Sequence, residues 1–149
     1  MKIYIASDHA GETRKNELIN YLTNNGIEVL TIPLENNPTD DYPEFAFYLG
    51  NKVVSDNILG ILICGNGIGM SIAANKVKGV RAARCTTVDD AFKAKNHNGA
   101  NVITISASLD FDLTKEIIDS FIVTKNPNEE RHLRRVNEII KYEDEHYEH

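Results

Sequence analysis

Short runs of aliphatic and β-branched residues alternate along the chain with longer stretches whose apolar positions recur every three or four residues. The short runs predict strands at 2–7, 28–32, 59–64, 81–85 and 102–106, several of them apolar throughout, as for strands covered on both faces. The longer stretches predict helices at 12–24, closed by Asn25-Gly26, and at 43–55, 70–76, 88–95 and 114–123. A last helix follows Pro127-Asn128, with Asn128 as its candidate cap, and runs to about Tyr142. Strand and helix in turn imply repeated βα units around a parallel sheet. Ligands of such sheets bind beyond the carboxyl ends of the strands.

The chain has 149 residues, 42% hydrophobic and 26% charged, which fits one globular domain spanning 1–149. Its 16 basic and 22 acidic residues give a net charge of −6, against nonspecific binding to nucleic acid or to an anionic membrane. Four of the acidic residues fall in the last seven positions, so 143–149 reads as an acidic, disordered tail and the rest is nearly balanced. Two cysteines are too few for a disulfide framework, no apolar run approaches the roughly 18 residues of a membrane span, and the N-terminal apolar segment is too short for a signal peptide. These features point to a reducing, cytoplasmic setting.

Four segments bear candidate chemistry. After the first strand, Ser7-Asp8-His9-Ala10-Gly11 leads into a helix. Alone, it reads as an Asp8 cap beside a surface histidine, and equally places a carboxylate and an imidazole where a hydroxyl compound would bind. After the third strand comes Cys64-Gly65-Asn66-Gly67-Ile68-Gly69-Met70. The spacing is neither the dinucleotide pattern nor a P-loop. It is either a tight turn or a loop whose backbone comes close to an anion, and Cys64 at its mouth adds a candidate base or nucleophile. Cys85 has no such loop and reads as core.

Asn96-His97-Asn98-Gly99-Ala100-Asn101 precedes the fifth strand and reads as a helix end and turn, with His97 also able to act as acid or base. On the last helix, Leu133, Val136 and Ile140 share one face, while Arg131 and Arg135 lie one turn apart on roughly the opposite one. Those arginines are either a solvated face, with Glu138 pairing to Arg134 or Arg135, or a guanidinium fork for a phosphate, set against a second subunit. Histidine and cysteine spacings do not suggest a metal site.

Taken together, Ser7 to Gly11, Asp41-Tyr42-Pro43, the run from Ile63 to Lys76, Gly79-Val80-Arg81-Ala82, His97 to Val102 and Arg131-His132 with Arg135-Val136 resemble the ribose-5-phosphate isomerase B family over nearly the whole chain. The resemblance implies a three-layer α/β/α sandwich with a five-stranded parallel sheet. It also implies reversible interconversion of ribose 5-phosphate and ribulose 5-phosphate in the pentose phosphate pathway, with no cofactor and no metal, in homodimers or tetramers whose active sites lie between subunits. By the same resemblance, Cys64 is the base that moves a proton between C2 and C1, and His97 opens the sugar ring. Asp8, His9, Tyr42, Asn98, Arg131 and Arg135 are substrate and phosphate ligands or lie near them, and Gly65, Asn66, Gly67, Ile68 and Gly69 form the loop that steadies the enediolate.

Cys64 and Met70 place the chain with the branch that uses a thiol base. Holding both Cys64 and His97 favours a self-sufficient homo-oligomer over the divided subunits of galactose-6-phosphate isomerase. Two positions depart from the family pattern. Asn66 stands where a Thr or Ser hydroxyl is common, and Ser108 where an arginine often binds substrate. The alternatives are an isomerase of a six-carbon sugar phosphate, such as allose 6-phosphate or galactose 6-phosphate, or a noncatalytic sugar-phosphate-binding protein.

Overall fold

The structure, a computed structural model, describes residues 1–147. Five parallel strands, β1 (Lys2–Ser7), β2 (Glu28–Leu30), β3 (Gly60–Cys64), β4 (Ala82–Arg84) and β5 (Val102–Ser106), form one sheet in the order β2-β1-β3-β5-β4. Six helices accompany them: α1 (Glu12–Asn24), α2 (Tyr42–Asp56), α3 (Ile68–Ala74), α4 (Val88–Asn96), α5 (Phe111–Val123) and α6 (Glu130–His146).

Period-two alternation in the strands builds two cores. Ile3, Ile5, Ile61, Ile63, Ile103 and Ile105 pack with side chains of α1, α4 and α5 on one face. Tyr4, Ala6, Leu62, Cys64 and Val102 point the other way, against α2 and α3. The result is the expected α/β/α sandwich, and no helix among the described residues is long and apolar enough to cross a membrane.

Several boundaries differ from the sequence reading for local reasons. The segment after Asp8 forms a 3-10 turn over His9–Gly11 before α1 starts. Helix α3 starts two residues early, on Gly67 in the left-handed region, and stops at Ala74. There the Asn75 side chain turns away to exchange two hydrogen bonds with the Ala82 backbone, at 2.8 and 2.9 Å. Helix α5 starts three residues early because Asp110 caps it, accepting the Leu113 N–H.

The largest corrections concern α6. Its cap position is Glu129, without a side-chain bond, rather than Asn128. The tail expected to fray from residue 143 instead continues the helix through His146. Glu143 is buried and accepts the Gly79 N–H at 3.1 Å, while Lys78 pairs with Asp144 at 3.3 Å. Glu148 and His149, the rest of that tail, lie outside the described residues. The buried side of α6 is His132, Val136 and Glu143, whereas Leu133, Ile139, Ile140 and Tyr142 stay exposed. Leu133 and Ile140, which share a face with Val136 by periodicity, are not buried with it. That periodicity records an apolar stripe that this chain alone does not cover. Arg134 pairs with Glu130 at 2.7 Å, not with Glu138.

Candidate active site

The candidate residues divide between the two ends of the sheet. At the carboxyl end stand Asp8 and His9 after β1, Cys64 and the 65–69 loop after β3, and Tyr42 at the start of α2. At the amino end stand His97 and Asn98, which follow α4 on its return to the start of β5, and Arg131 and Arg135 on α6. All strands run the same way, so the length of a strand separates the groups, about 13 Å for a five-residue strand. One chain does not bring Cys64 and His97 together.

At the carboxyl end, Cys64 is buried beside Ala6 and Met70 in the core under α2 and α3. The loop after it is held from below by hydroxyls of β5. Ser106 Oγ donates to the Gly65 carbonyl and Thr104 Oγ1 to the Gly67 carbonyl, each at 2.8 Å. Ser108 adds to this ladder through its hydroxyl, 2.8 Å from that of Ser106, and so supports the loop rather than supplying a charge. The Tyr42 ring packs so closely on Gly69 that a β-carbon there would collide with it. Above Gly65, by contrast, a β-carbon would meet nothing within 4 Å. Asn66 Oδ1 accepts the Ile68 N–H at 3.0 Å, which commits the carbonyl end of that amide to the loop and leaves its NH₂ for other partners.

Asp8 acts as the expected cap, accepting the Gly11 N–H at 3.1 Å, and burial raises its carboxyl pKa against the pull of that bond. His9 is half-exposed and bonded through Nδ1 to Asp40 at 2.7 Å. Asp40 was missed in the sequence because it lies in the irregular 33–42 connection, where no periodicity marks it. Arg84 was missed too; its Nε donates to the Asn66 carbonyl at 2.8 Å, and it forms no ion pair among the described residues. The one available signal was its place at the end of the fourth strand, at the edge where ligands bind. Cys85 is core, as read: burial, with the charge of Asp90, pushes its thiol up to about 12.

At the amino end, the His97 ring stacks on that of His132, 4.2 Å between centroids and 15° from parallel. Burial lowers the His132 pKa, as do the neighbouring His97 and Arg131, and its Nε2 has no hydrogen-bond partner among the described residues. His132 was quoted in the sequence motif but given no role; its ring lies flat against that of His97. Arg131 bonds to Glu129 at 3.1 Å. Arg135 forms no ion pair among the described residues and lines a groove of about 770 Å³ with Arg81, Asn98, Ile139 and Tyr142. This groove opens at the amino end, away from Cys64.

A family model described as ribose/galactose isomerase matches residues 3–139. The chain is 43% identical over 147 residues to a Mycoplasma genitalium protein named probable ribose-5-phosphate isomerase B, with 96% of each covered. It is also similar to two solved structures. Ribose-5-phosphate isomerase B of Clostridium thermocellum superposes with a TM-score of 0.91 at 38% identity, over 97% of this chain and 99% of that one. Ribose-5-phosphate isomerase B of Mycoplasma genitalium with bound ribulose-5-phosphate superposes with a TM-score of 0.90 at 40% identity, over 97% of each.

Proposed function

The chain belongs to the ribose/galactose isomerase family, and from that membership we propose that it interconverts ribose 5-phosphate and ribulose 5-phosphate at a site assembled from two copies of itself. The observation that carries the reading is the gathering of Asp8, His9, Tyr42, Cys64 and the 65–69 loop at the ligand-binding end of a parallel sheet.

The C2 proton of the open-chain aldose is weakly acidic, so its removal needs a placed base and stabilisation of the oxygen charge that develops. Cys64, as thiolate, takes that proton and returns it to C1, while a second proton moves from O2 to O1. The intermediate is a cis-enediolate. Backbone N–H groups of the loop face its oxygens, and the hydroxyl ladder beneath keeps the loop from yielding as charge builds. Asp8 and His9 bind the sugar. His97 opens the furanose ring, and Arg131 and Arg135 hold the phosphate with Asn98 nearby.

These last residues come from the partner copy. The exposed apolar side chains of α6, with Val88 and Phe92 on α4, support burial against a second chain, in a dimer or a pair of dimers. Two free, buried cysteines suit a reducing, cytoplasmic setting.

The test is turnover of ribose 5-phosphate to ribulose 5-phosphate in the presence of a chelator, with allose 6-phosphate in parallel. A larger kcat/KM on the pentose is expected. No turnover of either sugar, with binding but no deuterium exchange at C2, would leave a binding protein instead.

A further inference from the structure

Asp40 has a side chain only 3% exposed, and its one ion-pair partner among the described residues is His9. Four donors converge on it. Oδ1 accepts the His9 backbone N–H at 2.9 Å and lies 2.7 Å from His9 Nδ1. Oδ2 accepts Asn36 Nδ2 and the Asn37 N–H, both at 3.1 Å. Asn36 is itself anchored, donating to the Ser7 carbonyl at 2.7 Å and receiving Lys15 Nζ at 2.7 Å. The irregular connection between β2 and α2 therefore folds back over the end of β1 and delivers one fixed carboxylate to one imidazole.

A carboxylate can only accept at Nδ1, so the His9 proton sits there and the tautomer is set. The other nitrogen, Nε2, belongs to a ring left half-exposed at the ligand-binding end of the sheet. If the ring is neutral, Nε2 is an acceptor and repels an anionic oxygen; if cationic, it donates a charge-assisted hydrogen bond. The charged groups facing His9 are Asp40 and Asp8, both acidic, and they favour the cation. The hydrogen bond that Asp40 accepts from Nδ1–H is the largest influence and raises the His9 pKa against a smaller loss from desolvation.

We propose that Asp40 is a positioning residue of the sugar-phosphate site, locking His9 through Nδ1 and holding it as a cation so that its Nε2–H donates to an anionic oxygen of the bound substrate. The inference rests on the reading of His9 as a substrate ligand and adds the group that makes it an effective one.

The experiment is an NMR titration of the His9 ring in the ligand-free protein, wild type and Asp40→Asn, alongside KM and kcat for ribose 5-phosphate across pH 6–9. In wild type, ring nitrogen shifts are expected to show Nδ1 as the protonated nitrogen of the neutral form. A predominance of the Nε2–H tautomer overturns the proposal, and this arm needs no variant. In Asp40→Asn, the His9 midpoint is expected to fall, and the rise of KM with pH to begin correspondingly earlier, with kcat little changed. A purely structural Asp40 would lower the melting temperature without moving either profile, and that result also overturns the proposal. So does a shifted titration with an unmoved KM profile, because the charge would then not reach the substrate. Absence of turnover in wild type would instead strike the isomerase reading, and the titration would still report on the Asp40–His9 pair.

Discussion

Replacing two neighbouring glycines of the 65–69 loop by alanine separates what the loop does for the fold from what it does for the ligand. Gly67 is buried, has φ 79° and ψ −10°, and caps α3. A β-carbon there would lie 3.1 Å from the Ile105 carbonyl carbon and 3.2 Å from the Ser106 nitrogen, both backbone atoms of a central strand that cannot move aside. The left-handed conformation costs a non-glycine residue about 1–2 kcal/mol, and overpacking against rigid neighbours about 1–3 kcal/mol. Reduced freedom of the unfolded chain returns about 0.4–1 kcal/mol. Gly67→Ala should therefore lose about 2–4 kcal/mol, a fall in Tm of roughly 10 °C for a chain of this size.

Gly65 is exposed, does not have positive φ, and would place its new methyl in open space. Gly65→Ala should leave Tm within about 2 °C, yet put a methyl group where the sugar approaches the loop and lower kcat/KM at least about tenfold. Calorimetric melts and the isomerase assay on both variants decide the matter. Full turnover by Gly65→Ala would refute the placement of substrate over the loop, and an unmoved Tm in Gly67→Ala would refute the strain estimate.

Other expectations follow from the same geometry. Cys64→Ala should abolish turnover and C2 deuterium exchange while retaining binding of a phosphorylated sugar acid; a variant with most of its rate left would remove Cys64 as the base. Cys85→Ala should leave turnover and its pH profile unchanged, since its thiol stays protonated at working pH. Mixing inactive Cys64→Ala and His97→Ala chains, then refolding them together, should restore about a quarter of wild-type activity, because half the dimers are mixed and each holds one intact site. If the mixture stays inactive, the two residues do not meet across a subunit boundary.

Burial pushes the Asp40 carboxyl up, but the bonds from the His9 N–H, Asn36, the His9 ring and the Asn37 N–H outweigh it and bring it from 3.8 to about 2. A depressed carboxyl pKa stabilises the fold above the unfolded value and ceases to do so as pH falls through the folded one. Urea melts should therefore show Asp40→Asn less stable by about 2 kcal/mol at pH 7, with the difference closing between pH 4 and pH 2.

The sheet was legible because β-branched runs and period-two alternation follow from burial on both faces, as the Ile61–Leu62–Ile63 run shows by sending alternate side chains into the two cores. The glycine loop was legible because only glycine tolerates the Gly67 conformation and the Gly69–Tyr42 contact. Asp40 was not, because its role depends on where an irregular connection lands, which no local pattern encodes. The packing face of α6 was misread because Leu133 and Ile140 obey the same apolar periodicity as a buried stripe yet remain exposed here. Periodicity reports that a face is apolar, and is silent on whether anything in the same molecule covers it.

Having the thiol group and the histidine–arginine group at opposite ends of one sheet also bears on inheritance. In the symmetric pair proposed above every chain would contribute one end to each of two sites, so the pair would carry one copy of either group more than a single site requires. After a gene duplication, one daughter chain is free to lose the thiol end and the other the arginine end, and the pair still forms one working centre. From then on neither gene can be lost alone. The architecture thus contains, without any change of fold, a route from a self-sufficient enzyme to an obligate two-gene one.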